Sequence, residues 1–411
     1  HTPVQAQAGY KALVCVFLYG GNDGLNTIVP TDTTRYNQYA NVRGSLALPR
    51  TSLVGLGSSS YGLHPAMAGM QRLFDDGRLS IVHSVSYPSP NFSHFRASDI
   101  WFTAADSNQN LTTGWMGRYL DQRYPDYPEN YPNNNMPDPL AVQIGAVSST
   151  ALLGPGQPMG IAVQDPDTFA RLVGDKPNLP PGDLADTYAG RNIGFIRQQQ
   201  VSSVQYAGQL KTAADKGKNQ IAYPTPNSLA DQLRIVARLI HGGLQTRIYY
   251  VTLGGFDTHA SQVSATDTTV GNHANLLKTL SDAVAIFQAD LKAMGIEDKV
   301  AGMTFSEFGR RAISNNSMGT DHGIAAPLFV FGSSVKTQMI GANPNLSDLD
   351  NNNIKMQYDF RQVYATMLTD WFGLDDADAN TLLFKSFDTV PVFRRQSQAA
   401  ANRLEIFPNP A

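Results

Sequence analysis

Four ionisable side chains in this sequence stand where strands of a sheet would end, and two more lie in a glycine-flanked loop. Asp257 and His259 close the stretch Arg247 to His259 (Arg-Ile-Tyr-Tyr-Val-Thr-Leu-Gly-Gly-Phe-Asp-Thr-His), which runs apolar and then opens into a glycine pair. Asp23 follows the apolar run Lys11 to Tyr19 and the turn Gly20-Gly21-Asn22. Glu307 follows Val300 to Phe305, and Asp321 and His322 lie in the glycine-flanked Gly-Thr-Asp-His-Gly. Carboxylates and imidazoles gathered at one sheet edge are costly to bury unless something positive sits among them. A divalent metal is the economical solution. Asp and His together suit zinc, manganese or iron better than calcium, so zinc or manganese, as one ion or two, is the expected cofactor.

Ser93 and His94 join this set from a fourth strand end, after Leu79 to Val85 and the loop Tyr87-Pro-Ser-Pro-Asn-Phe. Ser93 stands where a helix would start. There it could act as an N-cap, as a nucleophile, or as part of an anion site at the helix N-terminus. His94 either serves the same site or points away from it. Arg96 and Arg310 could each hold an anion through a planar fork. The other candidates have plainer uses too. Asp23 could form a turn, and Asp257 and His259 could cap the next helix. Glu307 could pair with Arg310 or Arg311, and Asp321 could orient His322 from behind. His64, His83, His241 and His273 are assigned to packing or surface, and Tyr19, Tyr249 and Tyr250 to the core.

The elements that would position these residues alternate between strand and helix patterns. Apolar runs end in Gly-rich loops, and helical spacings such as Leu229, Leu233, Val236 and Ile240 lie between them. That order predicts an α/β protein with a doubly wound, mostly parallel sheet and helices on both faces, because parallel neighbours need crossover helices. In such sheets ligands bind at the carboxyl edge of the strands. One domain over residues 11–395 is expected, with loop insertions around 31–61, 121–138 and 155–225 and extended termini at 1–10 and 396–411. Residues 31–61 read as polar and irregular, and 184–214 as a long polar helix.

Composition narrows the function classes. Charged residues make up 16% of the 411, against a usual ~25%, and Asn, Ser, Thr and Gly fill the gap. That balance, with a small polar N-terminus of the kind left by a cleaved export signal, predicts a periplasmic or extracellular protein. The net charge of −3 provides no basic footprint for nucleic acid. No run reaches the ~18 apolar residues of a membrane span. The single cysteine, Cys15, lies in an apolar run and reads as a buried structural thiol.

Val-Phe-Leu-Tyr-Gly-Gly-Asn-Asp-Gly, Asn-Phe-Ser-His-Phe-Arg-Ala, Gly-Gly-Phe-Asp-Thr-His, Ser-Glu-Phe-Gly-Arg and Gly-Thr-Asp-His-Gly together resemble a bacterial family of unknown function. That family is exported by the twin-arginine route and lies within the alkaline phosphatase and sulfatase superfamily. The resemblance implies the superfamily's fold and a layout of ligands. One metal would take Asp257, His259 and His322, and the other Asp23, Glu307 and Ser93, with Ser93 as nucleophile. Where the superfamily has an Asp-His pair, this sequence has Glu307-Phe308. The expected activity is hydrolysis of a small anionic ester, a phosphate or sulfate. The alternative is a non-catalytic extracellular surface or assembly protein, capable of self-association, that keeps a degenerate form of the fold.

Overall fold

Residues Ala12–Tyr19 form β1, the strand on which the sheet is centred. The computed structural model describes residues 9–173 and 204–394. Eight further strands join β1: β2 (Leu79–Ser86), β3 (Ala141–Ile144), β4 (Ile161–Val163), β5 (Ile248–Gly254), β6 (Val300–Phe305), β7 (Ala326–Gly332), β8 (Gln338–Ile340) and β9 (Tyr358–Asp359). Their order is β8-β2-β7-β6-β1-β5-β3-β4, with β9 also pairing to β2. β1 is parallel to both neighbours, with Val16 opposite Val251 on one side and Thr304 on the other.

β7 alone runs antiparallel, to β2 and to β6. The sheet is therefore mostly parallel rather than wholly so. The reason is connectivity: no helix lies between β6 and β7, so the chain turns back directly instead of crossing over.

β1 is apolar on both sides because both faces are covered. Val14, Val16 and Leu18 pack with Tyr249 and Val251 against helices Ser228–His241 and Asn272–Ala293. Leu13, Cys15 and Phe17 point the other way, into a core with Trp101, Trp115 and Tyr364. Each fully buried Leu, Val or Phe there stabilises the fold by about 1.5–3 kcal/mol. Helices on both faces are thus present as expected, and Cys15 is buried.

One local reading differs. Residues 31–61 hold a helix, Thr33–Arg43, capped by the Asp32 side chain, and the strand Tyr61–Leu63 begins within that range. The helix is only weakly amphipathic, with Tyr39 and Arg43 as its buried residues, so apolar periodicity could not reveal it. Most of the helix read at 184–214 lies outside the described residues; residues 204–216 are helical. None of the described helices is long and apolar enough to cross a membrane.

Candidate metal centre

The carboxyl ends of β1, β2, β5 and β6 all open on one edge, and β7 begins there. Side-chain bonds lock the loops together. Gly20 N–H donates to Glu307 Oε1 at 2.9 Å, and Asn22 N–H donates to Ser306 Oγ at 3.0 Å. Gly20 has φ +123, and a Cβ there would run into the backbone of Phe256 and Asp257. Glycine is what lets the end of β1 lie directly against the Asp257 loop.

Three imidazoles meet at this edge, and each has its Nδ1 against an oxygen. His94 Nδ1 is 2.7 Å from Glu307 Oε1, His259 Nδ1 is 3.3 Å from Asp321 Oδ1, and His322 Nδ1 is 2.8 Å from the Phe92 carbonyl. An oxygen at Nδ1 accepts from a proton held there, and a neutral ring with that proton presents its Nε2 lone pair. Those Nε2 atoms converge on one carboxylate. His322 and His259 lie 3.1 and 3.2 Å from Asp257 Oδ1, and His94 lies 3.3 Å from Oδ2. His259 and His322 Nε2 are 2.9 Å apart. The donor atoms of His94, Asp257 and His322 all lie within 4.8 Å of one another.

Lone pairs facing each other and a carboxylate repel unless a cation stands among them. The donor set of neutral nitrogen and carboxylate oxygen fits a divalent transition metal or zinc. Burial raises the Asp257 carboxyl, but the hydrogen bond and charge of Arg310 lead the effects that outweigh it and hold the group at about 2. The Glu307 hydrogen bond raises His94, while burial lowers His322. Phe308 packs its ring 4.3 Å from that of His322 and 4.9 Å from that of His94.

The remaining candidates are placed as follows. Glu307 is fully buried and holds His94 from behind, and Asp321 does the same for His259. Asp23 is buried away from this cluster, ion-paired with Arg43 and bonded by the Gln262 side-chain amide. Arg310 is buried and engaged by Asp257 at 2.6 Å and by the carbonyls of Gly20, Gly21, Phe256 and Thr320. Arg96 is held by Asp99 at 2.6 Å and by the carbonyls of Asp106, Ser107 and Gln109. Ser93 is the exposed N-cap of helix His94–Thr103, and its hydroxyl caps no backbone amide. It is bracketed by Phe92, whose carbonyl holds His322, and by His94.

Sequence reasoning named His94 among catalytic candidates rather than as a ligand, and did not single out Arg43, Gln262 or the Phe92 carbonyl. Only the adjacency of His94 to Ser93 signalled its place. Tyr19, assigned to the core, is 38% exposed, with its ring 5.4 Å from that of His94.

Fold and site together define a mostly parallel α/β protein with a His/Asp centre at the carboxyl edge of its sheet. Residues 196–383 match the family described as "Protein of unknown function (DUF1501)", which bears out the resemblance to a family of unknown function. No curated protein matches the chain. Similar solved structures include a protein in the alkaline phosphatase superfamily from Vibrio parahaemolyticus, with TM-score 0.36 and 10% identity over 83% of this chain and 64% of that one. The C-terminal periplasmic domain of EcEptC from Escherichia coli, in complex with Zn, has TM-score 0.39 and 13% identity over 90% and 84%. The PsFucS1 sulfatase from Pseudoalteromonas sp. has TM-score 0.38 and 11% identity over 96% and 75%. The chain thus spans 64% of the length of the Vibrio protein.

Proposed function

We propose that this protein is an exported, metal-dependent hydrolase of phosphate or sulfate esters. The observation that carries the proposal is the convergence of three imidazole Nε2 atoms on the Asp257 carboxylate, each ring steered by an oxygen at its Nδ1. His94, Asp257 and His322 would hold the metal, with His259 beside them. A bound divalent ion stabilises charge on ester oxygens and activates an oxygen nucleophile.

Ser93 is the nucleophile in this reading. Its Oγ bonds to phosphorus or sulfur as the alcohol leaves, and water then hydrolyses the Ser93 ester. The start of helix His94–Thr103 offers backbone N–H groups and the positive end of its dipole to the anion. Arg96 and Arg310 are engaged by protein partners, so they act by positioning rather than by gripping substrate. Export belongs to the same proposal, supported by the low charge content. Metal analysis of protein purified without chelator, with assays on aryl phosphates, phosphodiesters and sulfates, tests it. Metal-free protein, or hydrolysis unchanged in Ser93→Ala, sinks it.

One observation favours a second reading, a non-catalytic extracellular assembly protein. Arg43 already neutralises Asp23 in a fully buried pair. Light scattering that shows self-association intact in Asp257→Ala, with no hydrolysis across the ester panel, would select that reading.

A further inference from the structure

We propose that the cleft beside His94 receives the alcohol half of the ester, and that this half is a flat aryl group. The inference rests on the hydrolase reading above. The cleft holds about 370 Å³ and is walled by Phe17, Tyr19, Phe95 and Phe102, with His94 also in its lining. His94 is therefore shared: its Nε2 faces Asp257, and its ring lines the cleft. Whatever leaves from an ester held at that centre has this cleft as an adjoining space.

The walls select a flat apolar group. Phe17 and Phe102 meet edge to face at 5.1 Å between centroids, Phe17 and Tyr19 lie 5.7 Å apart, and Tyr19 lies 5.4 Å from His94. These rings form a continuous path from the cleft to the centre, and aromatic partners prefer such offset and edge contacts. Phe95 is 86% exposed, the most exposed of the large apolar side chains among the described residues. An apolar ring left in water beside a site gains by being covered. Asp99 also lines the cleft, but Arg96 neutralises it, so nothing there calls for a cation.

Calorimetric titration of the metal-loaded protein with phenylphosphonate and methylphosphonate, which are not hydrolysed, tests the subsite. The phenyl compound is expected to bind roughly tenfold more tightly. Phe95→Ala, at an exposed position that leaves the fold intact, should erase most of that preference, and Phe102→Leu provides a second probe. Equal affinities in the wild type, or a preference that survives both substitutions, overturns the subsite alone. Metal-loaded protein that binds neither compound overturns the anionic-ester reading and the subsite with it.

Discussion

Glu307 Oε1 lies 2.7 Å from His94 Nδ1, on the far side of the ring from Asp257. The carboxylate is fully buried and is also bonded by Gly20 N–H, so it cannot turn away. It fixes which nitrogen of His94 faces the centre and makes that nitrogen more basic. Glu307→Gln keeps the shape and removes the charge. Metal affinity is expected to fall about 10–100-fold, as for other groups that orient a ligand from behind. Competition against a chelator of known affinity measures it, while Ser93→Ala should leave metal affinity near wild type.

Metal removal should also lower thermal stability. Without a cation, the Nε2 atoms of His259 and His322 face each other at 2.9 Å beside Asp257. A ligand at 100 times its Kd stabilises the folded state by about 2.7 kcal/mol. Dialysis against chelator is expected to lower Tm by on the order of 5 °C, and added zinc or manganese should restore it. A melting curve indifferent to both would place no metal at this centre.

Arg310 joins four backbone carbonyls and Asp257 in the buried floor beneath the site. No other side chain has enough donors in that geometry, so Arg310→Lys is not conservative here. Arg310→Met should destabilise the fold by about 3–5 kcal/mol, and Arg310→Lys by less, because several buried acceptors lose their partner. Chemical denaturation provides the measurement.

Stability should decline in mild acid. Burial holds His64 at about 3, and His83 and His273 at about 4, against an ordinary 6.5. The unfolded chain therefore binds protons near pH 6.5 that the folded chain takes up only near pH 3 to 4. Stability contributed by the neutral rings is present above 6.5 and is lost as pH falls from there toward 4. The denaturation midpoint should drop between pH 7 and 4.5. His83→Gln, which removes a ring perturbed by burial alone, should flatten that slope.

Much of the site was legible from local chemistry. A strand followed by glycines and then by Asp257 and His259 can be read in a line, as can Glu307 and the Gly-Thr-Asp-His-Gly loop. Each depends on residues within a few positions of one another. Arg43 was not legible. It reaches Asp23 from a helix 20 residues on, and nothing in its own neighbourhood marks it. The same holds for Phe92, which acts through its backbone carbonyl, a group every residue carries.

The sequence by itself determined which residues stand at strand ends, that the sheet is α/β and mostly parallel, and that a centre rich in Asp and His lies at its carboxyl edge. Those follow from apolar periodicity and from side-chain chemistry, which are local. Only the tertiary structure decided the division of labour. It turned His94 inward beside Asp257 and His322, set Glu307 and Asp321 behind the rings they orient, and closed Asp23 with a guanidinium. That choice depends on which side chains meet across 20 to more than 200 positions of chain, and packing alone brings them together.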